Sequence, residues 1–217
     1  MSPTSVIHPT VYTPSALLQA FLNVLTEAII PLTAKGVSLG SKVFGAAVLR
    51  ASDLSLVIAA TNDEATCPLW HGEVNCIRRF YEIPKEKRGV GAEECIFLST
   101  HEPCAMCLSS LAWSGFRQIY FLFSYDDTRD VFAIPHDIDI LTSVFHPPSS
   151  SPIPSDRLYN RQNKFFNIYS IEGLVDQVGD DAVKQDMLVR IANVKKVYNG
   201  LAEKYSERKG EKEIPLA

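Results

Sequence analysis

Apolar residues recur at helical spacing across residues 15–30, at Leu17, Leu18, Phe21, Leu22 and Leu25. They predict an amphipathic helix, with Ser15 placed to cap it and Pro31 to end it. Residues 43–49 and 54–61 carry β-type patterning around a turn at Ala51, Ser52 and Asp53, and predict two strands close enough to pair as a hairpin. Residues 73–81 return to helical spacing, starting near His71, and residues 84–91 predict a charged, glycine-containing loop. A short apolar strand is predicted over 95–100. Pro103 suits the first position of a helix running from Cys104 to about Ser114, because its missing N–H costs nothing there. Residues 118–123, rich in aromatic and β-branched side chains, predict another strand.

The order is helix, two strands, helix, strand, helix, strand. Strands joined through helices of this length imply a parallel part of the sheet with helices on both faces. With the leading hairpin, the predicted fold is a three-layer α/β/α sandwich with a central mixed sheet. Further on, residues 137–145 suggest a short helix, and residues 146–154 (HPPSSSPIP) form a Pro/Ser loop, the clearest break in the chain. Residues 177–205 suggest a long helix with Val178, Ala182, Val189, Ala192 and Val197 among its apolar positions. The expected organisation is a domain over 1–146, with its core at 43–123, and an extension over 147–217 packed on that core.

Composition narrows the function. The 217 residues are 46% hydrophobic, enough for one domain that needs no staples. No unbroken apolar run approaches the ~20 residues of a membrane span, and residues 1–12 lack the basic start and apolar stretch of a signal peptide. Five cysteines are an odd number without framework spacing, so a cytoplasmic, reducing location is expected. The net charge is −4. Basic residues gather only at 85–88 and in the tail from Lys195 to Lys212, where Glu203, Glu207, Glu211 and Glu213 interleave with them. A nucleic-acid partner would call for a basic face, so a small-molecule substrate is expected instead.

Two short stretches carry the chemistry: His71-Gly72-Glu73, and Pro103-Cys104-Ala105-Met106-Cys107. His71, Cys104 and Cys107 offer three zinc ligands, a number that leaves the fourth position open, as in catalytic sites. Glu73, two residues from the histidine, is placed to move protons. Each half falls at a predicted helix start, where free N–H groups and the helix dipole favour thiolate. A C-x-x-C pair also serves redox couples and structural zinc sites. A structural zinc, however, needs a fourth ligand, and a redox pair has no use for His71 or Glu73. Cys76 and Cys95 lie in apolar contexts and read as small core residues, which leaves Cys67 as the one rival ligand.

The joint pattern H-x-E…P-C-x-x-C is that of the zinc nucleobase deaminases, and the chain resembles the cytidine deaminase superfamily. More narrowly, it is similar to the branch holding cytosine, guanine and tRNA adenosine deaminases, over about Phe44 to Phe123. "VFGAAVL" at 43–49 looks like the first-strand motif of that branch. The resemblance implies Zn2+ as cofactor, Glu73 as the catalytic proton shuttle, and Asn62 as a hydrogen-bond partner of the base. It also implies that backbone at Gly72 and near Phe44 helps to form the pocket. "PCAMCLSSLAWSGF" is similar to the guanine deaminase motif, with Trp113 on an aromatic position, either stacking on the base or buried in the core. Glycine at position 72 matches fungal-type cytosine deaminases, whereas bacterial guanine and tRNA deaminases usually carry alanine. Trp70 is expected at the pocket edge. Asp126 and Asp127 fall where guanine deaminases place an acidic residue against the purine, or else form an acidic turn, and Glu102 is expected to support the cysteine turn. Tyr159, Phe165, Phe166 and Tyr169 are candidates for a lid or for packing of the tail. The implied activity is deamination of a free base or small nucleoside, of guanine or cytosine type, by a homodimer. The alternatives are tRNA adenosine deamination and a non-catalytic zinc-fold module.

Overall fold

A computed structural model describes residues 12–147 and 151–208. Residues 1–11, residues 148–150 of the Pro/Ser loop, and the end of the charged tail with Lys209, Glu211, Lys212 and Glu213 lie outside the described residues. In chain order the elements are α1 (Pro14–Val24), α2 (Ile30–Ser38), β1 (Gly45–Arg50), β2 (Leu56–Thr61), α3 (Gly72–Glu82), α4 (Lys85–Arg88), β3 (Cys95–His101), α5 (Ala105–Ser114), β4 (Gln118–Phe123), α6 (Tyr125–Asp130), α7 (His136–Ile140), β5 (Asn167–Ser170), α8 (Ile171–Val175) and α9 (Asp181–Glu207). The sheet runs β2-β1-β3-β4-β5. β1 pairs antiparallel with β2 and β3, while β3–β4 and β4–β5 are parallel. This is the expected α/β fold with a mixed sheet.

Alternate residues of each strand feed opposite layers, as a period of two requires. Ala47, Leu49, Ile96, Leu98, Tyr120 and Leu122 pack with Leu18, Phe21 and Leu22 of α1 and with α9. Ala46, Val48, Phe97, Ile119 and Phe121 pack with Cys76 and Phe80 of α3 and with Leu108 and Leu111 of α5. With both faces covered, β3 is buried at every position, the polar Ser99, Thr100 and His101 included, and its first four residues read as an apolar run.

Several local expectations are corrected. Pro31 does not end the first helix. Ile30 donates its N–H to the Leu25 carbonyl, five residues back, in a widened turn over Leu25–Ile29. That turn absorbs the irregularity, so Pro31 sits in the first turn of α2, where its missing donor costs little. The cap is Thr13, whose hydroxyl accepts from the Ala16 N–H at 3.3 Å, rather than Ser15. By length and composition Pro14–Ser38 is apolar enough to cross a membrane. Gln19, Asn23 and Glu27 break the run in sequence, so a count of consecutive apolar residues misses it. Its stripe of Leu17, Leu18, Phe21, Leu22, Leu25 and Ile29 belongs to the core.

The charged loop after α3 contains the helical turn α4, closed by Gly89 at φ +69. Pro103 precedes the N-cap of α5 rather than starting the helix. In α9 the buried stripe is Met187, Ile191, Val194, Tyr198, Leu201 and Tyr205, while Val189 and Val197 are exposed. β5, α6 and α8 were not anticipated. Of the four aromatic residues considered for a lid, Phe166 is buried in the α3/α5 layer. Tyr169 packs on Tyr120 with ring centroids 5.4 Å apart, Tyr159 bonds Glu102, and Phe165 is exposed.

Candidate active site

His71 and Cys104 occupy the N-cap positions of α3 and α5; the His71 side chain makes no capping bond, while Cys104 bonds Cys107 in the first turn of α5. An N-cap side chain ordinarily accepts from a free N–H of the first turn; His71 does not, and its ring is left to the two thiols. His71 Nδ1 lies 3.7 Å from Cys104 Sγ and 3.9 Å from Cys107 Sγ. The donor atoms of the three residues lie within 4.8 Å of one another and could hold a metal ion. One imidazole and two thiols suit zinc, which accepts nitrogen and sulfur ligands in a tetrahedral arrangement. Cys67 is not part of this group. Cys76 and Cys95 are buried, and burial pushes the Cys95 thiol up to about 11 and the Cys76 thiol higher still.

The group is strongly polarised. The hydrogen bond from Cys107, together with His71, holds the Cys104 thiol well below its usual range. Burial and the negative charge on Cys104 push Cys107 up. Burial disfavours charge on His71, but the hydrogen bond and charge of Cys104 reverse this and bring it to about 9. The metal-free trio thus holds one thiolate beside an imidazolium, and metal uptake releases protons.

Glu73, in the first turn of α3, is 4% exposed. Its Oε1 accepts from Ser99 Oγ at 2.8 Å, and its Oε2 accepts from Cys107 Sγ at 3.4 Å. Burial and then the Cys104 charge push its carboxyl up, toward a group that both takes and gives a proton.

Close backbone approach fixes the start of α3. A Cβ on Gly72 would lie 2.8 Å from Gly45 Cα and 2.9 Å from Phe44 C, so only glycine fits where α3 meets β1. The Gly72 N–H donates to Asn62 Oδ1, and Asn62 Nδ2 donates to Glu64 Oε2 at 2.9 Å. Both ends of the Asn62 amide therefore already hold protein partners. Trp70 carries the Arg78 guanidinium over its ring at 4.3 Å. Phe44 is buried, edge-on to His101 at 4.6 Å.

Glu102 supports the cysteine turn as expected. It accepts from Tyr159, Arg161 and the Tyr125 N–H, while Tyr125 Oη donates to the Pro103 carbonyl at 2.6 Å.

Other expected residues are placed differently. Trp113 is 92% exposed, so within this chain it is neither a core residue nor a pocket wall. Six residues past Cys107 a helix has turned about 240° from the inward face. Asp126 pairs with Arg129 at 3.1 Å and accepts from Ser155. Asp127 closes a capping box with Ser124 at the start of α6 and faces Lys195 at 3.7 Å. These two carboxylates serve α6 and its surroundings, as the acidic-turn reading has it.

Sequence reasoning passed over Asp137, in the first turn of α7. Burial, then the charges on Cys104 and Glu73, push its carboxyl up to about 8, and His71 and Lys42 also act on it. It therefore lies within electrostatic reach of Cys104, Glu73 and His71. No local signal marked it, because α7 reaches the site only through the tertiary fold.

Residues 23–123 match the cytidine and deoxycytidylate deaminase zinc-binding region. The match takes in part of α1 as well as the two motifs, just under half of the chain, and agrees with zinc as the cofactor for the group of His71, Cys104 and Cys107. A guanine deaminase of Bacillus subtilis (strain 168) is 26% identical over 107 residues, 46% of this chain. The aligned stretch covers 64% of that relative's own length, short of two thirds. The X-ray structure of guanine deaminase from Bacillus subtilis superposes on 65% of this chain and 96% of its own, at 22% identity and TM-score 0.46. A guanine deaminase from Nitrosomonas europaea covers 88% of this chain and 87% of its own, at 16% identity and TM-score 0.47.

Proposed function

We propose that the protein is a zinc-dependent hydrolytic deaminase of a free nucleobase or small nucleoside, of guanine or cytosine type, working in the cytoplasm. The observation that carries this is the buried Glu73 carboxyl, 3.4 Å from Cys107 Sγ, beside a cluster of one imidazole and two thiols. His71, Cys104 and Cys107 hold the metal. Zinc held there would supply Lewis acidity and would make water a better nucleophile near neutral pH.

Glu73 takes a proton from the attacking water and passes it to the ring nitrogen of the amidine; as the C–N bond breaks and the carbonyl forms, it carries the remaining proton of the added hydroxyl to the departing amino group, so that water is consumed and ammonia released. Burial, which pushes its carboxyl up, favours a group that both takes and gives the proton. Ser99 holds Oε1 and so keeps Oε2 aimed at the cluster. Asp137 reads the substrate. Among the described residues no hydrogen bond or ion pair engages its carboxyl, so it is available to N–H donors on a heterocycle. This gives Asp137 the role that sequence position suggested for Asp126 or Asp127. Gly72, Trp70 and the backbone near Phe44 border the same space. The molecule works as a homodimer, and the exposed Trp113 on α5 offers an apolar contact for the second copy.

The test is ammonia release from zinc-loaded protein with guanine, cytosine, isocytosine, adenine, pterins and their nucleosides. Release from a member of the panel, abolished in Glu73→Ala while zinc stays bound, is the expected result. Substantial activity in that variant sinks the mechanism.

A further inference from the structure

A buried charge pair lies beside the histidine and takes no part in the proposed reaction. Lys42 Nζ is 3.2 Å from Glu64 Oε1, with the two side chains 5% and 1% exposed. Withdrawing two charges from water is costly, and it is tolerated where further polar partners complete the pair. Here Glu64 has two. Its Oε2 accepts from Asn62 Nδ2 at 2.9 Å, and its Oε1 lies 3.8 Å from His71 Nε2. Asn62 in turn accepts the Gly72 N–H at the start of α3. The two imidazole nitrogens thus face different groups, Nδ1 toward the thiols and Nε2 toward the carboxylate.

We propose that Glu64, held and neutralised by Lys42, is a positioning residue that orients the His71 imidazole through Nε2, so that Nδ1 is presented to zinc. Through Asn62 the same carboxylate holds the end of α3 that carries both His71 and Glu73. The proposal rests on reading His71, Cys104 and Cys107 as the zinc site. A histidine that ligates a metal through one nitrogen almost always gives the other N–H to a carboxylate, carbonyl or water, and loss of that partner typically weakens metal binding about 10–100-fold. A purely structural pair needs only that Lys42 and Glu64 meet. It gives no reason for the carboxylate to be shared with the ligand ring and with the group that caps its helix.

The experiment measures zinc affinity by chelator competition for wild type, Lys42→Arg, Glu64→Gln and the double variant Lys42→Met/Glu64→Gln. Thermal melts of the zinc-free proteins report folding separately. The double variant removes both charges together and so leaves no lone buried ion. Expected are wild-type-like affinity for Lys42→Arg and a loss of about 10–100-fold for Glu64→Gln and the double variant. The thiolate-to-cobalt band of the cobalt-loaded forms should stay intact, because both cysteines remain. Folded Glu64 variants with wild-type zinc affinity overturn the proposal.

A second readout needs no variant. In the zinc-loaded wild type, nitrogen-edited NMR should show the His71 Nε2–H protected from exchange, and free exchange with solvent overturns the proposal. A wild type that binds no zinc at all removes the ligand reading itself, an outcome distinct from unaltered binding by the variants.

Discussion

Replacing Gly72 with alanine tests whether the contact between α3 and β1 sets the geometry of the site. The added Cβ would lie 2.8 Å from Gly45 Cα and 2.9 Å from Gly45 N and Phe44 C, against the ~3.5–4.0 Å at which carbon atoms pack. These neighbours are backbone atoms at the start of a strand held on both sides, so the helix start must yield by about 0.7 Å or more. Overpacking of this kind costs about 1–3 kcal/mol. The helix preference for alanine over glycine returns up to about 1 kcal/mol, which leaves a net loss of about 1–2 kcal/mol. For a chain of this size that lowers Tm by roughly 2–8 °C. His71 and Glu73 flank the glycine, so the displacement reaches the proposed ligand and proton carrier directly. A misplacement near 1 Å can cost about 100-fold in rate. Urea titration should therefore show a lower midpoint at unchanged slope, and ammonia release should fall far more than the unfolded fraction explains. A variant within about 0.5 kcal/mol of wild type and fully active would refute the claim that steric fit at this contact dictates glycine.

Arg161→Met should destabilise by about 2–4 kcal/mol in urea, because it leaves the buried Glu102 carboxylate without its cation; a loss below about 0.5 kcal/mol would make the pair incidental. Asp137 supplies a pH signature in the zinc-free protein, with its carboxyl at about 8 when folded and 3.8 as the reference value. Between about pH 4 and 8 the unfolded chain has released this proton while the folded chain keeps it, so stability falls as pH rises through that window and levels above it. Asp137→Asn should remove about 1–3 kcal/mol of that decline, and parallel stability–pH curves for the two proteins would rule it out. Trp113→Glu should change monomer stability by no more than about 0.5 kcal/mol while shifting sedimentation from dimer toward monomer; an unchanged sedimentation profile would remove this face from the dimer contact.

The two motif halves were legible because their chemistry is local. His71 and Glu73 are two residues apart on one helix start, Cys104 and Cys107 share one helical turn, and Pro103 marks where that turn begins. The strands were legible too, since β1, β3 and β4 alternate between two layers that both demand apolar side chains. What failed locally failed for tertiary reasons. Pro31 reads as a stop, yet the widened turn at Leu25–Ile29 lets it open a second helix packed on the same core. The apolar positions along α9 include Val189 and Val197, but the sheet selects the face of Met187, Ile191, Val194 and Tyr198 instead. β5 is only four residues long, too short to stand out until β4 offers it an edge.

The surroundings of the motifs were illegible for one shared reason, and it bears on where specificity arises. Lys42, Glu64 and Asp137 are charged residues that a sequence reading assigns to surface by default. Each is drawn toward the site by an element whose position the motifs do not determine. Lys42 and Glu64 lie on the connections flanking the β1–β2 hairpin, and Asp137 rides on α7. Glu102 is held by Tyr159 and Arg161 from the segment before β5. The two motifs alone therefore define a candidate zinc site and the proposed proton carrier, chemistry common to every substrate of the proposed reaction type. The groups that could distinguish one heterocycle from another arrive from α7 and the segments around it. Substitution at Asp137 should accordingly change which base is deaminated while zinc content stays constant, whereas substitution at Glu64 should do the reverse. A common loss of zinc in both variants would mean that the two tasks are not separable in this fold.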